Sequence, residues 1–221
     1  MMATNNQASD DLLLAYAAGK LSPAPSLVVA SHVAMSAQSE ERLSMFESLG
    51  GNLLEEQPLA ELHEDLFERM LMRLDIPDEQ AVPDTAPHGN DHASLDMGVT
   101  LPTPLAARQI GNWRCIAPGI RFAKVEVPED PDFKVVLLRV RAGQALPMHG
   151  HKGTELTLIL KGSFHDEGGT YLPGDIAEED EQSDHQPIAG PEGECICLTV
   201  IEGSMRPHGW LARMLQPLIG F

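Results

Sequence analysis

Hydrophobic residues recur at helical spacing in the first third of the chain. The stretch SDDLLLAYAAGKLSP predicts a helix that begins after Ser9, which would cap it ahead of two acidic residues, and that ends near Gly19 and Pro23. A second helix is predicted over 26–48 and a third over 59–74. In the third, four apolar residues stand four positions apart and form a stripe that needs a surface to pack against: Leu62, Leu66, Met70 and Leu74.

The pattern changes after this helical part. Residues 76–98 are rich in proline, acidic and small polar residues without periodicity, which predicts a flexible acidic linker. Further on, short apolar and β-branched runs alternate with glycine and proline, and three of them predict strands: 133–143, 155–164 and 194–203. No long helical pattern separates these strands, so they favour an antiparallel sandwich or a small barrel. The closing segment GWLARMLQPLIGF fits a short helix or an edge strand.

Together these patterns predict an α+β fold in two domains. A helical bundle over 1–75 is joined by the linker over 76–98 to a β domain over 99–221. A chain of 221 residues with 43% hydrophobic residues is long enough to bury such cores.

The charge of the chain restricts the classes of partner that it is expected to bind. The formal net charge of -18 disfavours direct binding to nucleic acid, whose phosphates repel an acidic surface. Residues 1–75 hold four Lys or Arg and twelve Asp or Glu, which favours a basic protein partner, although an ordinary solvated helix face has the same composition. No membrane segment or leader is predicted, and the three cysteines form no disulfide pattern, so the cytoplasm is the expected location. The oligomeric state is left open.

The stretch GQALPMHGHKGTELTLILKG at 143–162 carries the candidate chemistry. His149 and His151 leave the same face of an extended chain, and Glu155 lies an even number of positions further on. A buried carboxylate beside two imidazoles is costly without a cation, so a divalent metal is predicted. The alternative is a pair of surface histidines at a strand end.

The spacing of these residues and their flanking glycines resembles the first motif of the cupin superfamily. The residues YLPGD at 171–175, followed by His185, resemble its second motif. The resemblance implies a double-stranded β-helix barrel with one divalent metal on four ligands: His149, His151, Glu155 and His185. Zinc is the expected metal, with iron, manganese and nickel left open. His165 and His208 stand outside the motif and are predicted to be surface residues.

Two cysteines in the last predicted strand form a candidate redox pair. Cys195 and Cys197 share a strand face by the same alternation. They are either packed as small apolar side chains or oxidisable close to the metal.

Short motifs in both halves resemble those of the ChrR family of anti-sigma factors. They are LLLAYAAGKLS, SLVVASH, the pair Gly50-Gly51, the His-x-His-x3-Glu cluster, GDI at 174–176, Cys195-x-Cys197 and LQP at 215–217. The resemblance implies a helical domain, residues 1–75, that sequesters an extracytoplasmic-function sigma factor, and a cupin domain that responds to singlet oxygen or peroxide. A cupin metalloenzyme, a dioxygenase or isomerase with a helical oligomerisation arm, is the alternative; no catalytic residue is predicted. A third hypothesis is a regulator that has lost its affinity for sigma factors.

The helical half departs from the family at one place. The family binds zinc there through an early histidine and a His-x3-Cys-x2-Cys motif, whose positions hold Gln7, His32, Ser36 and Ser39 in this chain. Serine hydroxyls are poor replacements for thiolates as zinc ligands. No zinc is therefore predicted in this domain, His32 is expected to be a packed or capping residue, and the count of metals is one per chain.

Overall fold

The computed structural model describes residues 6–74, 97–150, 152–203 and 206–207. The helices in these ranges are α1 (Asp10–Ala17), α2 (Pro23–Val33), α3 (Ala37–Glu55), α4 (Leu66–Leu74) and α5 (Thr103–Ala106). The strands are β1 (Arg114–Ala117), β2 (Ile120–Lys124), β3 (Phe133–Val140), β4 (His149–Gly150), β5 (Glu155–Lys161), β6 (Phe164–Asp166), β7 (Gly169–Tyr171), β8 (Ile176–Glu179), β9 (Asp184–His185), β10 (Ile188–Ala189), β11 (Cys195–Glu202) and β12 (Arg206–Pro207).

The first helix follows the prediction and the second does not. Ser9 caps α1 by accepting a hydrogen bond from Leu12 N, and Gly19 follows the helix with φ at +64°, a left-handed conformation that glycine adopts readily. The single helix predicted over 26–48 is wrong, because α2 and α3 are separated by a turn at 34–36. Ser36 takes an extended backbone conformation there, and its side chain accepts a hydrogen bond from Ser39 N.

The third predicted helix is shorter than expected. It begins at Leu66 as α4, whereas residues 58–65 are coil and turn. None of the helices in the described ranges is long and apolar enough to cross a membrane.

The three predicted strands are confirmed as β3, β5 and β11, which lie side by side in one antiparallel sheet. The full order of this sheet is β1-β2-β3-β11-β5-β8, so that β8 forms one edge. The described residues also form two three-stranded sheets, β10-β6-β7 and β12-β4-β9. The pairing of β4 with β9 sets His149 directly opposite His185.

Alternate residues of the large sheet face two different hydrophobic clusters. On β5, Leu156 and Leu158 belong to an outer cluster that also contains Leu27 and Val28 of α2. Ile159 belongs instead to an inner cluster that the sheets enclose. Side chains that alternate along each strand therefore point either to an outer face, which is covered by α2, or to the interior of the barrel.

The helix α2 is the element that joins the helical part to the sheet. Seven of its eleven residues are buried, and a helix that is apolar nearly all round belongs inside a core. The outer cluster thus spans both parts of the chain, and the helices do not depend on one another alone for a core. Met97, at the end of the predicted linker, is also buried in this cluster. Residues 76–96 of that linker and the segment from 208 onward lie outside the described residues.

Candidate metal centre

Three of the four predicted ligands lie together in the barrel interior. Donor atoms of His149, Glu155 and His185 all lie within 4.8 Å of one another, and all three residues are buried. The Nε2 atoms of the two imidazoles are 3.2 Å apart, and His149 Nε2 is 3.9 Å from Glu155 Oε2. His151, the fourth predicted ligand, lies outside the described residues. The group is built by β4 and β5, which follow one another along the chain, and by β9, which comes after three further strands.

The outer nitrogen of each imidazole is held by a protein acceptor. His149 Nδ1 donates to the carbonyl of Pro147 at 2.8 Å, and His185 Nδ1 donates to Asp166 Oδ2 at 3.1 Å. With the proton on Nδ1, the neutral form of each ring carries a lone pair on Nε2. Both lone pairs then point at the same small volume, next to a carboxylate.

This donor set fits a divalent cation. Two imidazole nitrogens bound tetrahedrally at about 2.0–2.1 Å from zinc would be separated by about 3.3 Å, close to the 3.2 Å found here. Two neutral imidazoles would otherwise bring their lone pairs together without a positive charge between them. Asp166 accepts a hydrogen bond from the ring nitrogen of His185 that faces away from the group, and such acceptors orient metal-binding histidines in proteins.

The electrostatics of the group also favour a cation. Burial raises the pKa of Glu155 to about 7, although His185 and the hydroxyl of Thr157 oppose the shift. Burial lowers the pKa of His185, but the hydrogen bond to Asp166 and the charges of Glu155 and Glu179 outweigh it, so the net pKa is raised. The carboxyl of Glu155 therefore keeps its proton to unusually high pH in the absence of other positive charge.

A chain of hydrogen bonds connects Glu155 to the candidate redox pair. Thr157 Oγ1 lies 3.1 Å from both Glu155 Oε1 and Thr199 Oγ1, and Thr199 Oγ1 lies 3.7 Å from Cys197 Sγ. Cys195 and Cys197 are buried free thiols in the inner cluster. Interaction with Cys195 and burial raise the pKa of Cys197. The two thiols therefore share the barrel interior with the metal-ligand group.

Sequence reasoning missed the residues that support this group. Thr157 and Thr199 follow Glu155 and Cys197 by two positions, so the same alternation could have found them. Asp166 and Glu179 carry no comparable local signal, because they come from other strands. Of the histidines expected at the surface, His165 is exposed, and His208 lies outside the described residues.

The positions of the degenerate zinc motif also lie together, in the helical part. His32 is fully buried, and its Nε2 lies 2.7 Å from Ser39 Oγ and 3.2 Å from Ala8 N. Gln7 Oε1 accepts hydrogen bonds from Ser36 and Ser39. Burial lowers the pKa of His32, which favours the neutral ring. These four residues form a hydrogen-bonded network, and the absence of zinc from it stays a prediction.

Comparisons with known proteins cover both parts of the chain. The profile of the ChrR Cupin-like domain matches residues 106–205. Over 221 residues, 98% of this chain and 98% of the relative, the sequence is 35% identical to the anti-sigma-E factor ChrR of Cereibacter sphaeroides. The chain belongs to the ChrR family of anti-sigma factors. The resemblance inferred from the motifs is thereby confirmed.

A solved structure of the ChrR family agrees with this assignment. The crystal structure of Rhodobacter sphaeroides SigE in complex with the anti-sigma ChrR matches with a TM-score of 0.69 and 34% identity, over 89% of this chain and 98% of that chain. The similarity to the ChrR family therefore includes the helices as well as the cupin-like domain.

Proposed function

We propose that this protein is a cytoplasmic anti-sigma factor that binds an extracytoplasmic-function sigma factor through residues 1–75. The sigma factor is released when a metal-bound cupin domain senses singlet oxygen or peroxide. The observation that carries the binding part is an apolar surface on α3 and α4 that nothing in the described part of the chain covers. Membership of the ChrR family favours this regulator over a cupin enzyme.

One half of this surface is a stripe along α3. Met45, Leu49 and Leu53 stand four residues apart on one face and are 67%, 51% and 53% exposed. A groove beside them is lined in addition by polar residues of the same helix: Glu41, Ser44, Ser48 and Asn52. Contiguous exposed apolar residues with a polar border mark protein interaction sites.

The other half is the apolar face of α4. Phe67, Met70, Leu71 and Leu74 occupy positions i, i+3, i+4 and i+7, and all four are exposed. An isolated helix of nine residues is marginally stable in water. A partner that covers this face would therefore stabilise the helix as it binds.

The charge around the surface supports a basic partner. Eight exposed glutamates lie on or between these two helices: Glu40, Glu41, Glu47, Glu55, Glu56, Glu61, Glu64 and Glu68. The DNA-binding faces of a sigma factor are basic because they contact promoter phosphates, so they complement this surface. The structure of a relative in complex with SigE supports the same class of partner.

The sensing part of the proposal rests on the metal-ligand group. His149, Glu155 and His185, with His151 from the cupin motif, would hold one zinc ion; iron, manganese and nickel suit the same donors. A bound ion would supply a positive charge that keeps Glu155 ionised. Because the pKa of Cys197 is raised, little of the nucleophilic thiolate forms at neutral pH, and this cysteine would react slowly with peroxide. We therefore assign the first response to the metal-ligand group and a later one to the cysteines.

Binding is tested by co-expressing this chain with a sigma factor encoded beside its gene and purifying the pair anaerobically. The double variant Leu49→Gln and Leu53→Gln should weaken the complex by about 100-fold, because burying each half-exposed leucine contributes about 1.4 kcal/mol, a tenfold change in affinity. Leu172→Gln, which changes an exposed leucine of the cupin-like domain, serves as the matched control. Absence of a complex in the wild type, or equal affinities for all variants, would refute the proposed surface.

Sensing is tested on the purified complex. Organic hydroperoxide or a singlet-oxygen source should release the sigma factor from the wild type, and metal content should be followed in parallel. A complex that survives both oxidants with its metal retained would contradict the sensing role while leaving the binding role intact.

A further inference from the structure

Two adjacent carboxylates on β8 face opposite sides of the sheet. Glu179 points into the barrel, where it pairs across the strands with Glu155 and its Oε1 lies 3.8 Å from His185 Nδ1. Glu178 points to the outer face, where its two oxygens accept hydrogen bonds from Ser9 N at 2.6 Å and Ser9 Oγ at 2.8 Å. One strand thus contacts both the metal-ligand group and the residue that caps α1.

The contact made by Glu178 lies at a sensitive point of α1. Ser9 is the N-cap of that helix, and a carboxylate near a helix N-terminus is stabilised by the helix dipole and by backbone N–H groups. Glu178 therefore holds the start of α1 with a charge-assisted pair of hydrogen bonds, which are stronger than neutral ones.

Two further contacts connect the start of β8 to the helical part. Ile176 N donates to the carbonyl of Asn6 at 2.9 Å, and His32 Nδ1 donates to the carbonyl of Gly174 at 2.8 Å. Because β8 is an edge strand held within its sheet by β5, a small shift of β8 displaces few other hydrogen bonds. A change in either the metal-ligand group or the helical part can therefore shift β8.

We propose that β8 transmits the occupancy of the metal-ligand group to the start of α1 through Glu179 and Glu178. A cation bound by His149, Glu155 and His185 attracts Glu179, and its loss removes that attraction from a pair of carboxylates that face each other across two strands. The backbone of β8 then shifts, and Glu178, one residue away on the other face, loosens its hold on Ser9. This inference rests on the metal site of the proposed function and supplies its path to the helices.

The chain offers a matched comparison for this contact. Asp130, on the loop between β2 and β3, accepts a hydrogen bond from Ala24 N at 2.9 Å and so caps α2 from the β part in the same way. Asp130 is not on β8. Loss of Asp130 should loosen α2 and leave the response of α1 to metal unchanged.

The test is hydrogen–deuterium exchange of the full chain, loaded with zinc and then stripped with a chelator, without any sigma factor. In the wild type, removal of zinc should raise exchange in the peptides that span residues 9–17 by about tenfold, as expected for loss of charge-assisted hydrogen bonds. In Glu178→Ala the same peptides should exchange fast with and without zinc, while zinc affinity, measured by chelator competition, changes less than about twofold because Glu178 faces away from the ligands. In Asp130→Ala, the peptides of α2 should exchange faster than in the wild type at either zinc level. The peptides of α1 should respond to zinc as they do in the wild type.

The outcomes separate this proposal from the broader function. If the wild type binds zinc but its α1 peptides exchange at the same rate after zinc is removed, the coupling is overturned, whether or not a sigma factor binds. If Glu178→Ala leaves exchange in α1 unchanged, the assigned contact is overturned. The milder Glu178→Gln should give an intermediate response, which keeps the test decisive if the alanine variant misfolds. A chain that binds none of zinc, iron, manganese or nickel would overturn both the metal site and the coupling.

Discussion

Replacing Glu155 with glutamine should stabilise the metal-free protein above neutral pH while weakening its metal binding. Burial raises the pKa of Glu155 in the folded, metal-free chain from 4.5 to about 7. A carboxyl whose pKa is raised on folding stabilises the fold at low pH, and this contribution is lost as pH rises from 4.5 through 7, because only the folded state then still binds the proton. Above that range the folded protein contains a buried carboxylate.

The size of the effect follows from the shift. A difference of about 2.5 pKa units, at about 1.4 kcal/mol per unit, gives about 3 kcal/mol. Glutamine carries no titrating proton and can still accept the hydrogen bond from Thr157. The free energy of unfolding of the wild type, relative to Glu155→Gln, should therefore fall by about 3 kcal/mol between pH 4.5 and about pH 8.

The assay is urea unfolding in the presence of a chelator, followed by circular dichroism across that pH range. Glu192→Gln, at an exposed position, is the control and should follow the wild type. Addition of zinc at about pH 8 should reverse the order of stabilities, because the wild type binds the ion and the Glu155 variant binds it poorly. Parallel curves for the wild type and Glu155→Gln without metal would refute the reasoning that burial governs this carboxyl.

Three further predictions concern the metal sites and the thiols. Asp166→Asn should lower zinc affinity by about 10- to 100-fold in chelator competition, because the imidazole of His185 loses its negatively charged acceptor, whereas Glu167→Gln at the exposed neighbouring position should have no effect; equal affinities would contradict the orienting role. A triple variant that places sulfur and imidazole ligands in the helical network should bind a second zinc ion, as measured by elemental analysis. One zinc ion per chain would indicate that the geometry of this network does not suit zinc. Its substitutions are Gln7→His, Ser36→Cys and Ser39→Cys. Alkylation at neutral pH should modify the exposed Cys115 rapidly and the two barrel cysteines only after denaturation; rapid loss of all three thiols would contradict the burial of the pair.

Alternation along the strands accounts for what sequence could predict of the metal centre. Glu155 and Cys197 lie on strands whose inward residues recur every two positions, so their direction followed from spacing alone. The position of His185 came from the resemblance to cupins, since no local pattern brings β9 beside β4. Asp166 reaches His185 only because β6 and β9 approach each other in the folded barrel, a tertiary contact without a signature along the chain.

The error in the helical part has a local cause. Apolar periodicity continues from α2 into α3, and it predicted one helix across the turn at 34–36. Serine at 36 competes with helix formation by using its hydroxyl to cap the helix that follows. At the other end, Leu62 belongs to the predicted stripe but lies before the start of α4. The intrinsic pattern was right about which residues are apolar and wrong about where the backbone turns.

The packing of α2 explains how the helices can hold together although residues 1–75 contain no cysteine. A small domain that holds its helices together through zinc loses its fold when the metal is removed, because it has little core of its own. Here Leu27, Val28 and Val29 are buried in the cluster that includes the outer face of the sheet, and a buried aliphatic side chain contributes about 1.5–3 kcal/mol. The two nitrogens of His32 link the network around Gln7 to the carbonyl of Gly174 just before β8. Without sulfur ligands, the helices are still anchored next to β8, the strand through which we propose that the two parts are coupled.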